Sequence, residues 1–200
     1  MPTAANVAGQ RARWRRRQAL QSNSASGFTL LEVLLVVAVM GIMLAIAVPS
    51  IRTALIDARA NGALRAVHGH LRAARDSAIS LRRVVEVEFV GTSQIRSTRI
   101  EGTTRTLLQT TILENGMQFQ VTAGLPDTPD AFGNAAAVNF GGPTLIYFQP
   151  DGTLGDITGL PISGTVNLGT PARTLSARAV TVLGPTGRVQ PYRWDGSAWR

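Results

Sequence analysis

The chain has 200 residues, no cysteine and a formal net charge of +8. Disulfides and cysteine-based chemistry are excluded, and the charge does not describe a global nucleic-acid binder. All 20 basic residues are arginine and five precede residue 28; the rest of the chain holds 15 arginines against 12 carboxylates, a net +3.

The first element is a basic segment, residues 1–27, with Arg11, Arg13, Arg15, Arg16 and Arg17 and no acid. Next come Gly27-Phe28, a single carboxylate at Glu32, and 16 uncharged residues from Val33 to Val48. Phe28 to Val48 gives 21 residues, about 31 Å of helix, which matches a hydrocarbon core of about 30 Å. The positive-inside rule holds the arginine segment in the cytoplasm and places the remainder across the membrane. A charge at the centre of a span costs about 2.5–3.5 kcal/mol, so Glu32 calls for a partner. An ordinary secretory signal with Ala45-Ile46-Ala47 as its cleavage pattern, and an unprocessed anchor, compete with this reading. Both leave Gly27-Phe28 and Glu32 without a role.

Pro49 predicts a soft spot at the membrane edge. Beyond it Leu64, Val67, Leu71, Ala74, Ala78 and Leu81 recur at spacings of three and four. That is the apolar stripe of an amphipathic helix, residues 49–83, continuous with the membrane half and laid against the C-terminal part of the chain. A soluble coiled coil is the competing reading of this half alone. His68 and His70 point in different directions, have no ligand partner at useful spacing, and are expected at the surface or rim.

At Val84 the period changes to two. Val84–Val90 reads as a strand ended by Gly91-Thr92-Ser93. Further β-rich runs are predicted at Thr106–Leu113, Met117–Thr122, Val138–Phe140, Leu145–Phe148, Thr165–Leu168 and Ala177–Leu183, with Gly, Pro, Asn and Asp between them. Gly124–Ala137 reads as a long loop in which Asp127 and Asp130 are solvated. Residues 84–200 suffice for one core, giving an α+β architecture of one long helix packed on an antiparallel β-sheet domain. No phosphate loop, zinc motif or calcium loop is present, so no catalytic residue, metal or cofactor is expected. Asp151-Gly152 and Asp195-Gly196 read as turns.

Gly27-Phe28, Glu32 and the apolar run closely resemble the type IV prepilin signal, shared by type IV pilins and type II secretion pseudopilins. The resemblance implies that a prepilin peptidase cuts after Gly27 and methylates the new amino terminus at Phe28. It implies that Glu32 serves assembly by neutralising the terminal ammonium of a neighbouring helix, in surroundings of low dielectric. Later segments narrow the resemblance to the secretion-protein-H and FimT group of pilin-like proteins. They are Arg72–Ser80 leading into Val84–Val90, Tyr147–Thr153, and the closing Val180–Val189. The leader is longer than in many members, and the missing cysteines fit a minor pilin or pseudopilin better than a major pilin with its C-terminal disulfide.

The resemblance implies a type IV pilin-like fold and no enzymatic activity. The expected role is a minor pseudopilin of a type II secretion filament, anchored once in the inner membrane with its β domain in the periplasm. Its partners would be the peptidase, other pilins or pseudopilins, and exoprotein cargo. The alternative is a FimT-type minor type IV pilin that acts in pilus biogenesis or binds DNA in natural transformation through a C-terminal Gly-Arg-x-Arg motif. Here that motif reads Gly187-Arg188-Val189-Gln190, with Arg193 following between Tyr192 and Trp194. Arg188, Arg193 and Arg178 are the candidate DNA contacts.

Overall fold

The computed structural model describes residues 27–142 and 144–200, without the side chains of residues 49 and 50. The expectations for the arginine leader and its cytoplasmic side lie outside the described residues. The chain divides into two compact units after Val48. One helix, α1, spans Leu30–Leu81 and belongs to both.

In the first unit Thr29 starts the helix. Its Oγ1 accepts the backbone N–H of Glu32 at 3.2 Å, and its carbonyl accepts the N–H groups of Glu32 and Val33. A threonine that caps the third helical residue, with glutamate at that residue, is half of a capping box. From Leu30 to Val48 every side chain is exposed. The segment is apolar around its whole circumference, so no face of it is suited to water.

In the second unit the alanine-rich continuation of α1 buries Ala60, Ala63, Val67, Leu71, Ala74 and Ala78. Leu81, expected on this stripe, is exposed because the helix ends there. Arg82 takes the left-handed conformation at φ 52°. Its N–H bonds to Ile79 O and that of Arg83 to Ala78 O. These are the two bonds of a Schellman ending, with arginine where glycine is usual.

Two antiparallel sheets complete this unit. The first comprises β1 (Val84–Val90), β2 (Gln94–Glu101), β3 (Thr104–Ile112), β6 (Leu145–Phe148) and β7 (Leu154–Gly155), in the order β3-β2-β1-β6-β7. The second has β8 (Gly164–Thr170) at its centre, with β9 (Arg173–Leu183) and then β10 (Arg188–Arg193) on one side. The short β4 (Gln118–Phe119) and β5 (Val138–Asn139) pair with the other side of β8. Val85, Val87, Phe89, Ile146 and Phe148 of the first sheet join Val166, Leu168, Val180 and Val182 of the second, and the α1 stripe, in a single core.

The α+β expectation therefore holds: one long helix packs on antiparallel sheets. Differences lie in the strands. β2 falls between two expected runs, and Met117–Thr122 keeps only two strand residues. The irregular segment 124–137 is not a solvated loop. Asp127 accepts the N–H groups of Thr128 and Gly133, both at 2.7 Å. Asn167 on β8 holds the segment through Ala136 O and Ala137 O.

Candidate functional site

The assembly residues expected from the sequence sit at the start of α1. Gly27 has open space around its Cα, and Phe28 is 79% exposed. Glu32 occupies the first helical turn, where unsatisfied N–H groups and the macrodipole favour a carboxylate. Phe28 and Glu32 are therefore both presented outward.

The three candidate DNA contacts do not form one surface. Arg178 is the largest fully buried side chain, at 0% exposure, not a surface cation. Its Nη2 donates to Asp57 Oδ1 at 2.5 Å and its Nε to Asn61 Oδ1 at 2.9 Å. Its Nη1 donates to the carbonyls of Ala177 and Leu175 at 2.8 and 3.0 Å. Asn61 in turn donates to Asp57 Oδ2 at 3.1 Å. Burial pulls the Arg178 guanidinium below its ordinary value, and Asp57 opposes that shift. The arrangement ties β9 to α1 and is unavailable to a phosphate.

Arg193 is paired directly across the strands with Arg178, so both side chains share the face toward α1. Its Nη2 lies 3.3 Å from the same Asp57 oxygen. Arg188 is five residues earlier on β10, and an odd spacing puts it on the opposite face. There its Nη2 meets Asp130 Oδ1 at 3.3 Å, while Asp130 Oδ2 accepts the hydroxyl of Thr181 at 2.5 Å. The Tyr192 hydroxyl is pushed up by burial and by the same carboxylate. Asp130 is thus a clasp holding segment 124–137 on the second sheet.

The glycine before Arg188 has a structural task of its own. Gly187 has φ 60°, and a Cβ built there would stand 1.9 Å from Gly152 O. Arg75 of α1 secures both chain turns, donating to Gly152 O and Thr186 O, each at 3.0 Å.

His70 departs from its expected place at the surface. It is buried, with Nε2 2.6 Å from Ser97 Oγ and Nδ1 2.8 Å from Thr111 Oγ1. Burial lowers its pKa to about 4, so it is neutral under ordinary conditions. His68 remains half-buried, at the rim. Among the described residues no group of three or more His, Asp or Glu is placed to hold a metal ion.

Asp57 and Asn61 escaped the sequence reading, Asp130 was expected to be solvated, and Arg75 was given no role of its own. Asp57 and Asn61 had a signal: they continue the stripe of Leu64, Val67 and Leu71 backward at helical spacing. Polar residues on an apolar stripe point to a buried polar partner.

Against known families, residues 22–48 match the model of the prokaryotic N-terminal methylation motif. The chain carries a prokaryotic N-terminal methylation motif. The motif covers Gly27, Phe28, Glu32 and the whole exposed apolar segment, which is long and apolar enough to cross a membrane. Among solved structures, the type IV minor pilin FimU of Pseudomonas aeruginosa is 14% identical. That match covers 70% of this chain and 96% of FimU, with a TM-score of 0.46. The minor pseudopilin EpsH from the type 2 secretion system of Vibrio cholerae is 13% identical. It covers 68% of this chain and 97% of EpsH, with a TM-score of 0.45. No curated protein matches the sequence.

Proposed function

We propose that the chain is a minor pseudopilin, a structural subunit that assists protein export across the outer membrane within a type II secretion filament. The observation that carries this is the methylation motif set on the start of a helix whose apolar surface is bare on every side. Such a helix is stable only in lipid or among like helices, and a pilin-like subunit uses both in turn. Prepilin peptidase would cut after Gly27 and methylate Phe28. Glu32 would then meet the terminal ammonium of a neighbouring subunit as the helix leaves the bilayer, and the β domain would select neighbouring subunits or exoprotein cargo. Two features favour this over DNA uptake: Arg178 is sealed inside the domain, and Arg188 and Arg193 each face a carboxylate on opposite sides of β10.

Mass spectrometry of the mature chain tests the processing step: the expected amino terminus is methylated Phe28. Glu32→Ala is expected to be cleaved and anchored as wild type and to be lost from sheared filaments. Incorporation equal to wild type would remove the assembly role of Glu32. Deleting the gene is expected to abolish exoprotein secretion; a defect confined to DNA uptake would favour the FimT-type reading.

A further inference from the structure

The second unit holds a groove of about 480 Å³ between the first turns of α1 after residue 49 and the β8–β9 hairpin. Asp57, Arg173, Leu175, Arg193 and Trp194 line it, and a smaller recess shared by Arg59 and Arg173 adjoins it. Its charge is unbalanced. Arg178 and Arg193 both bear on the single carboxylate of Asp57. Asp195, also on the rim, is engaged by Arg200 at 2.7 Å and by the N–H groups of Ser197 and Ala198. Arg59 and Arg173 have no carboxylate within ion-pair distance among the described residues. Arg173 in the groove and Arg59 in the adjoining recess are thus cations left over once Asp57 is shared by Arg178 and Arg193.

Next to this excess of cations lies exposed apolar surface. Leu175 is 53% exposed, and Pro171 and Ala172 at the hairpin tip are exposed as well. Guanidinium groups beside bare aliphatic side chains match an amphiphile with an anionic head better than a soluble anion. The helical wall begins at Thr53, five residues past Val48. Five helical residues rise about 8 Å, so chain length alone keeps the groove within reach of a headgroup layer.

We propose that this groove binds the phosphate headgroup of an anionic phospholipid. Arg59 and Arg173 would be its ligands, and Leu175 would meet the acyl boundary. The guanidinium fork suits phosphate oxygens in pairs, and among the described residues neither Arg59 nor Arg173 has a carboxylate of its own to compete for it. Bound lipid would hold the β domain against the bilayer before assembly. This inference rests on the reading that residues 28–48 span a membrane.

The absence of cysteine permits a clean test. The full chain with Thr174→Cys, spin-labelled on the groove wall, is reconstituted in nanodiscs of phosphatidylcholine alone or with phosphatidylglycerol. The expected result is a several-fold fall in the label's accessibility to a water-soluble relaxant when the anionic lipid is present. Arg59→Gln and Arg173→Gln together should remove that fall, each arginine weakening headgroup attraction roughly fivefold. Both side chains are exposed, so the variants leave the core intact. Equal accessibility in the two discs overturns the proposal. The same protection from inorganic phosphate in phosphatidylcholine discs also overturns it, assigning a soluble-anion site instead. Release of the chain from discs by alkaline wash overturns the membrane reading itself, and this inference with it.

Discussion

Replacing Asp57 by alanine removes the only carboxylate that reaches Arg178 among the described residues. The guanidinium keeps Asn61 and two backbone carbonyls as acceptors but loses its counter-charge inside the domain. Breaking a buried pair by removing one partner costs about 3–5 kcal/mol. Asp57 is itself 39% exposed, so water enters the vacated site and the expected loss is smaller, about 2–3 kcal/mol. For a domain of this size that lowers the melting midpoint by roughly 4–12 °C. Arg178→Met removes the buried charge along with its requirement and leaves a half-exposed Asp57 that water and Arg193 can satisfy; its expected cost is about 1 kcal/mol. The double variant should resemble Arg178→Met alone, because the damage done by Asp57→Ala is the stranded cation. Urea unfolding of residues 49–200, which contain the whole core, reads this through the fluorescence of Trp194 and Trp199, which pack edge to face beside Arg193. If Arg178→Met is as harmful as Asp57→Ala, or if the two losses simply add, the buried-charge reasoning fails.

Stability should fall as pH drops from about 6.5 to about 4, because the unfolded chain protonates His70 in that window while the folded one resists until about 4. The difference is roughly 3 kcal/mol, and His70→Gln should flatten that part of a pH series of urea midpoints. Gly187→Ala should destabilise strongly, by at least about 2 kcal/mol, since it adds a left-handed alanine to a clash with Gly152 O; calorimetry that found a loss below about 1 kcal/mol would refute the close approach. Arg82→Gly should stabilise by about 0.5–1 kcal/mol, because the Schellman ending already requires positive φ there, and a lower urea midpoint would contradict this.

The amphipathic part of the helix and most strands were legible because their burial is apolar and repeats at 3.6 or 2 residues, and the part before residue 49 because its apolar run is unbroken. β2 was not. Its inward positions include Ser97 and Arg99 beside Ile95, so the alternation that marks Val84–Val90 is missing. Ser97 faces inward because His70, 27 residues away on α1, bonds to it there. The same substitution of polarity for hydrophobicity hid Arg178. In Ala177–Leu183, a run buried over most of its length, it reads as a cation at the end of a strand.

The lesson from these two places is physical. Periodicity detects positions that exclude water, but it recognises them only when an apolar residue fills them. Across the helix–sheet contact this chain fills two with matched polar pairs, His70 with Ser97 and Asp57 with Arg178. Each pair gives two local irregularities far apart in sequence, a polar residue on an apolar stripe and another in a buried strand. Taken singly, each irregularity looks like surface. Taken together, they specify one register of helix on sheet, since sliding α1 by a single turn would strand a buried charge and a buried imidazole at once. A core of leucine and alanine alone would tolerate that slide far better.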